Sequence, residues 1–169
     1  MTYVKSDVDN NMYLVRNTDD KNEAANMLAL IMANIIKLSD NVFENIDKYP
    51  EYTEYINLLH KKAKYIVLLE STQNNVYTSY SVNKGEKIVF CLRTKTTGDK
   101  LHDLNLIMYV VLHELAHVAC PIYDNHGPLF MKIFKFLTQR AIELNLYQKI
   151  EFDKKPEKYC GMDITSSII

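Results

Sequence analysis

The sequence predicts an α+β fold in which about four helices pack with a small antiparallel sheet. Apolar residues recur at helical spacing in four segments, and one hairpin pattern lies between the second and the third of them. Only four glycines and four prolines occur in 169 residues, which favours helices over a loop-rich or all-β design. A chain of this length is most simply one compact domain, 1–169, and is long enough to bury a core.

The region 18–70 is predicted to be mainly helical. It follows a short strand around Met12–Val15, and Asp20 and Glu23 have the spacing of a capping box. The apolar stripe of the first helix then advances in steps of three and four, through Ala24, Leu28, Ile31, Ile35, Leu38 and Val42. Pro50 suits the first turn of a second helix, whose inner face is expected to extend to Ile66 and Val67.

The region 75–146 is predicted to hold a hairpin and two further helices. The segments "VYTSYSV" and "EKIVFCLR" are typical of strands, and Asn83-Lys84-Gly85 between them tolerates positive φ. The second strand, 87–93, is either internal or able to add an extended peptide as a further strand. Asp103 is expected to cap the third helix, and Pro128 to open the fourth. The tail 147–169 is predicted to be irregular.

Composition excludes several classes of protein. Lys and Arg number 20 against 21 Asp and Glu, so no overall field draws the chain onto nucleic acid. No apolar run is long enough to span a bilayer, and the first residues lack the apolar core of a secretory signal. Cys91, Cys120 and Cys160 form no CxxC pair, which predicts buried free thiols rather than disulfides. We therefore expect a soluble intracellular protein, cytoplasmic or nuclear, without a membrane partner.

The segment "HELAHVACPIYDNHGPLF", residues 113–130, carries the candidate chemistry. His113 and His117 lie four residues apart, so they project from one helix face and can bind one zinc ion at about 2.0–2.1 Å. Glu114 lies about 100° round the helix from His113, beside the ligands without joining them. A carboxylate there can take a proton from metal-activated water, which then attacks a peptide carbonyl. The pattern predicts a catalytic Zn²⁺ site with Glu114 as general base.

A catalytic zinc site needs a third protein ligand and one open position. His126 is the predicted third ligand, because it lies in the loop just before the Gly-Pro start of the fourth helix. The chain can turn back there and present an imidazole to the third helix. Glu143 and Asp124 are the alternatives; Glu143 falls on the outer side of the fourth helix.

"HELAH", a short loop and "HGPLF" together resemble the signature of the SprT-like and WLM groups of zinc peptidases. The stretch "YTSYSVNKGEKIVFCLR" resembles the hairpin before the active helix of WLM-type proteins, including those of large DNA viruses. The resemblance covers about 75–163 and implies a zincin-like, minigluzincin-like domain that cleaves a protein or peptide substrate. It places zinc on the three histidines and the base role on Glu114. In cellular members it implies cleavage of proteins crosslinked to DNA, so a DNA–protein crosslink is a candidate partner.

Two other functions remain open at this point. The first is a zinc-stabilised binding module without catalysis, against which the intact Glu114 argues. The second is a zinc amidohydrolase of the deformylase type, in which Cys91 in the preceding strand supplies an upstream ligand. In the tail, Met162 is expected to fill the core, and Tyr159 to have an ordinary packing role rather than to bind an oxyanion.

Overall fold

The structure, a computed structural model, describes residues 1–72, 79–94, 100–123 and 125–169. Within these parts of the chain there are four α-helices: α1 (Lys21–Glu44), α2 (Thr53–Ala63), α3 (Leu104–Ala119) and α4 (Pro128–Glu143). The strands are β1 (Thr2–Lys5), β2 (Met12–Val15), β3 (Val67–Glu70), β4 (Ser79–Val82), β5 (Lys87–Phe90), β6 (Glu157–Tyr159) and β7 (Met162–Ile164). Helices and small sheets pack together, so the predicted α+β class is confirmed.

The central sheet has three strands in the order β3-β5-β4. The predicted hairpin of β4 and β5 is confirmed, and its turn residues Asn83, Lys84 and Gly85 have φ of 50°, 53° and 103°. The residues before Ser79 in the predicted first strand lie outside the described part of the chain. Because β3 pairs with β5 in parallel, the sheet is mixed rather than purely antiparallel. The second hairpin strand is therefore internal, and β4 lies at the sheet edge.

The prediction that Ile66 and Val67 continue the second helix is wrong. α2 ends at Ala63, and Val67 begins β3, whose residues pair in register with β5 from Val67 opposite Lys87 to Glu70 opposite Phe90. A short apolar run is compatible with either a helix or a strand, and here the pairing with β5 determines that it is a strand. At the N-terminus the predicted strand β2 is confirmed, with β1 as its antiparallel partner.

A buried ion network replaces the predicted capping box at Asp20. Asp20 makes no side-chain cap bond, because its carboxylate accepts from the Arg93 guanidinium at 2.6 Å. Arg93, 2% exposed, also donates through Nε to Glu70 at 2.6 Å, and Glu70 accepts the Arg16 backbone N–H at 2.8 Å. The network joins the ends of β2, β3 and β5 to the start of α1. Removing Arg93 or Glu70 would leave the other charge buried and uncompensated, so this pair holds the fold in one arrangement.

Helix α3 contacts α1, α2, α4 and β4, and most of its residues are buried. Asp103 caps it as predicted, since its carboxylate accepts the Leu106 N–H at 3.3 Å. Its fully buried apolar side chains include Ile107, Val111, Leu112 and Leu115. None of the described helices combines the length and apolarity that a membrane crossing requires. The enclosure of α3 fixes the position of the histidines near its C-terminal end.

Candidate metal centre

Three imidazoles meet between α3, α4 and the loop that joins them. Nε2 of His126 lies 3.0 Å from Nε2 of His113 and 3.1 Å from Nε2 of His117. Atoms that bind one zinc ion tetrahedrally at about 2.0–2.1 Å lie about 3.3–3.4 Å apart, close to these separations. Among the described residues these three form the only group of potential ligands that converges in this way. The structure thus brings together all three predicted ligands.

The loop backbone turns His126 towards α3. Asn125 and His126 have φ of 41° and 68°, in the left-handed region that residues other than glycine seldom adopt. Gly127 then forms the N-cap of α4, and Pro128 occupies its first turn as predicted. Strained backbone at consecutive residues persists only where the surroundings enforce it, and such strain is concentrated at functional sites.

Phe130 forms an apolar backing for the three rings. It is 1% exposed, and its ring centroid lies 5.1 Å from that of His113, 4.3 Å from that of His117 and 4.8 Å from that of His126. Burial, followed by the neighbouring His113, lowers the pKa of His117 to about 4. Burial also lowers the pKa of His126. Both imidazoles are therefore neutral near pH 7, the form that offers a nitrogen lone pair to a metal.

Glu114 lies beside this cluster rather than in it. Its carboxylate is nearly buried, with the whole residue 4% exposed, and Oε1 lies 3.5 Å from Nδ1 of His113. The residue lines two cavities that meet at the imidazoles. A buried carboxylate at this junction can accept a proton from a small molecule that enters either cavity.

The alternative ligands are placed elsewhere. The Glu143 side chain is 59% exposed and pairs with Arg140 at 3.0 Å. Asp124 lies outside the described residues. Cys91 is bonded to Cys160, so its sulfur is not a thiolate ligand as the deformylase alternative requires.

That disulfide corrects the prediction of three free thiols. Cys91 follows β5 directly and Cys160 lies in the turn between β6 and β7, 69 residues further on. Cys120 is free and buried, as predicted. No local spacing reveals the pairing, because the sulfurs meet only after the tail returns to the end of β5.

The tail is also more regular than predicted. β6 and β7 form an antiparallel hairpin, which we call the tail hairpin (157–164). The Tyr159 hydroxyl donates to the Cys91 carbonyl at 2.6 Å and lies 2.7 Å from Oγ of Ser79. The Cys160 N–H donates to Nε2 of His102 at 3.0 Å. These bonds and the disulfide fasten the tail hairpin to β4, β5 and the segment before α3.

The sequence predicts that Tyr159 and Met162 of the tail both pack in the interior, and the structure confirms this only for Tyr159. Tyr159 is 2% exposed, and burial raises its pKa, so it remains protonated and structural as expected. Met162 is 57% exposed, so the expectation that it fills the core is wrong. Its side chain instead lines a cavity next to the imidazoles.

A groove passes through the centre. On one side a cavity of about 360 Å³ lies beneath the tail hairpin; on the other, a cavity of about 550 Å³ lies between β4 and the loop before α4. Both are lined by Ser79, His113, Glu114 and His126. His113, His126 and the Glu114 carboxylate therefore lie where the two cavities adjoin.

Lys84 has a structural role beside the imidazoles that the sequence pattern does not predict. Its ammonium donates to the carbonyls of Cys120 at 2.9 Å and Ile122 at 2.8 Å, and lies 4.6 Å from the Tyr123 ring centroid. The turn can lie close to α3 because Gly85 has no Cβ. A Cβ at this position would lie 2.6 Å from the Val118 side chain. The hairpin turn thereby holds the loop that presents His126.

Comparison with known proteins identifies the family. A family model for the WLM domain matches residues 57–167, about two thirds of the chain. The chain belongs to the WLM family. This family is of the metallopeptidase type, and the WLM resemblance of the histidine motif is confirmed. The match also begins earlier than the motif suggested, so it includes part of α2 and all of β3.

The relatives of this WLM protein come from large DNA viruses. It is 46% identical over 168 residues to the uncharacterised protein R325 of Acanthamoeba polyphaga mimivirus, covering 99% of this chain and 84% of that protein. It is 38% identical over 85 residues to protein 136R of Invertebrate iridescent virus 6, covering 48% of this chain and 44% of that protein. The match to protein 136R therefore covers less than half of that protein's length.

The fold is similar to that of a solved yeast protein. The crystal structure of Wss1 from Saccharomyces cerevisiae superposes with a TM-score of 0.51 at 20% sequence identity. The superposition covers 79% of this chain and 88% of that chain. At this identity the likeness concerns the fold alone.

Proposed function

We propose that this WLM protein is a zinc metallopeptidase that hydrolyses peptide bonds in a protein substrate. His113, His117 and His126 would hold the Zn²⁺ ion, and Glu114 would be the general base. The observation that carries this proposal is the convergence of three imidazole nitrogens in an open groove with a buried carboxylate beside them.

The donor set suits zinc. Three imidazoles with one position left for solvent or substrate are a common arrangement in catalytic zinc sites. Nε2 of His126 lies 3.0 Å from Nε2 of His113 and 3.1 Å from Nε2 of His117. It carries at most one proton, so it cannot donate a hydrogen bond to both rings. A cation satisfies all three lone pairs at once. When bound, zinc acts as a Lewis acid on water and on the substrate carbonyl.

Glu114 would move the protons. Its carboxylate lies where the two cavities meet, within reach of a water that enters the imidazole cluster. It would accept a proton from the attacking water and return it to the departing amine. Phe130 would keep the imidazoles oriented during this exchange, because its ring contacts all three.

The position of β4 at the edge of the central sheet supports the proposal that the substrate is an extended peptide. β4 is the outer strand of the central sheet, and Ser79, Tyr80 and Ser81 line the larger cavity. A peptide laid along this edge as an added strand would pass over the imidazoles. The more specific idea of a DNA-crosslinked substrate rests on the family resemblance alone.

Metal analysis combined with a protein-cleavage assay tests the proposal. The wild type should bind one zinc per chain and cleave an unfolded protein such as casein. Glu114→Gln should keep the zinc and lose cleavage by at least about 100-fold, since positioned acid–base groups contribute about 10²–10⁴-fold. Glu143→Gln, an exposed carboxylate outside the cluster, is the matched control and should keep full activity. Full activity in Glu114→Gln would remove Glu114 as the base.

The same assay separates the alternatives. A wild type that binds zinc but cleaves nothing would favour the non-catalytic binding module. Adding single-stranded DNA tests the crosslink idea, because an activity that depends on a DNA-bound substrate should rise when DNA is present.

A further inference from the structure

The two sides of the groove differ in chemistry. Beyond the residues of the imidazole end, the cavity beneath the tail hairpin is bordered by Tyr109, Val110, Met162 and Ile164, and by the uncharged Ser79 and Tyr159. Among the described residues that line it, Glu114 is the only Asp, Glu, Lys or Arg, and it lies at the imidazole end. The cavity on the other side also has apolar and aromatic lining from Tyr80, Ile122 and Tyr123, but it adds the ammonium of Lys84 and the polar side chains of Ser81 and Asn125.

From this asymmetry we propose that the cavity beneath the tail hairpin is a specificity subsite for one large uncharged side chain, aliphatic or aromatic. That side chain belongs to the substrate residue on one side of the scissile bond. The inference rests on the proposed peptidase function and extends it, because it names the class of substrate residue. The cavity adjoins His113, Glu114 and His126, so its occupant is next to the reacting carbonyl.

Desolvation determines which side chains fit. An apolar side chain that enters the cavity leaves water for contacts with Val110, Met162 and Ile164, which is favourable. A charged side chain loses its hydration there, and among the described lining residues the only carboxylate is that of Glu114, which the proposed reaction requires. The volume of about 360 Å³ accommodates a phenylalanine or leucine side chain.

The walls of the subsite are formed before substrate binds. On one side Val110 belongs to the enclosed helix α3. On the other, the disulfide, the Tyr159 hydroxyl and the His102 side chain hold the tail hairpin in place. A preformed pocket binds with a smaller ordering cost than one that must assemble around its ligand.

Cleavage of a peptide series is the first part of the test. The peptides share one sequence and vary a single residue on each side of the bond, and products are identified by mass spectrometry. We expect Phe, Leu and Met at one flanking position to give kcat/KM at least about 10-fold above Asp, Lys or Ala, since pockets discriminate by such factors. Equal rates for all residues at both flanking positions would overturn the proposal.

A charge introduced into the wall is the second part. Met162→Lys places an ammonium in the cavity and should lower cleavage of the Phe peptide about 10-fold while raising that of the Asp peptide. Met12→Lys on β2 is the matched control, because Met12 is 56% exposed against 57% for Met162 and does not line this cavity. The control should keep the wild-type profile. An unchanged profile in Met162→Lys would contradict the proposal.

A binding measurement separates the subsite from the catalytic proposal. In Glu114→Gln labelled with ¹³C-methyl methionine, the Phe peptide should shift the Met162 signal and leave that of Met12 in place. The Asp peptide should shift neither. If the wild type cleaves nothing but Met162 still responds, the peptidase proposal fails, and the cavity remains only as a binding site for an uncharged side chain. If cleavage occurs without selectivity and Met162 does not respond, the subsite fails and the peptidase stands.

Discussion

The two walls of the groove are built in different ways. The wall that carries the imidazoles comes from the continuous segment 113–130, where helical spacing and one loop set every ligand position. The opposite wall is the tail hairpin, which reaches the groove through the bond from Cys160 to Cys91, 69 residues earlier. The candidate chemistry is therefore encoded locally, whereas the shape of the pocket depends on contacts that only the complete fold creates.

The largest expected effect is at the imidazole wall. His126→Ala should weaken zinc binding by more than about 100-fold, because loss of even an outer partner of a ligand costs about 10–100-fold. Equilibrium titration against a zinc-binding dye measures this. His60→Ala on α2, where the ring stacks on Phe43, is the control and should bind zinc normally. Undiminished zinc binding in His126→Ala would exclude this residue as a ligand.

The tail-hairpin wall should respond through stability instead. Reducing the disulfide with tris(2-carboxyethyl)phosphine, which has no thiolates to chelate zinc, should destabilise the wild type by about 2–5 kcal/mol, the usual contribution of such a bond. Thermal unfolding with and without reductant measures the loss, and the double variant Cys91→Ser/Cys160→Ser should show no reductant effect. Zinc stoichiometry should remain the same throughout, since neither cysteine belongs to the imidazole cluster. Equal melting temperatures with and without reductant would show that the bond does not hold this wall.

Lys84 connects the hairpin turn to the imidazole wall, and its removal should have an intermediate effect. Lys84→Met leaves the Cys120 and Ile122 carbonyls without their ammonium donor, so the loop before α4 loosens. We expect zinc affinity to fall about 10-fold, at the lower end of the range for groups that support a ligand. The control is Lys61→Met on the exposed side of α2. Unchanged affinity in Lys84→Met would mean that the loop needs no such anchor.

The smallest expected effect is at Tyr159. Tyr159→Phe removes the donor to the Cys91 carbonyl but keeps the ring that stacks on His102. An unsatisfied buried carbonyl costs about 1–3 kcal/mol, and with the disulfide intact we expect about 1 kcal/mol, measured by urea unfolding. Zinc affinity should not change. A loss of metal in this variant would show that the two walls are coupled more closely than their separate construction suggests.

The sequence predicted what depends on neighbouring residues. The spacing of His113, Glu114 and His117, the cap at Asp103 and the turn at 83–85 each require only a few consecutive positions, and the structure contains these local features. The position of His126 near the other two histidines follows from the short loop that ends at Pro128. These features involve little loop closure, so their local pattern determines them.

The errors concern features that distant parts of the chain decide. The local pattern predicts a helix at Val67 because the pairing of Val67 with Lys87 is not visible in it. The spacing predicts a cap at Asp20, but the Asp20 carboxylate instead accepts a hydrogen bond from Arg93, 73 residues away. The tail hairpin and its disulfide were missed for the same reason. Pairings of this kind depend on topology, which a periodicity analysis of single segments does not contain.

The central claim is that three imidazoles bind one zinc ion and leave a position open. X-ray absorption at the zinc edge, on protein loaded with one equivalent of Zn²⁺, tests this most directly. The expected spectrum has three imidazole nitrogens and one further light atom at about 2.0–2.1 Å, and no sulfur. A sulfur neighbour at about 2.3 Å, or no site-bound zinc at all, would contradict the account.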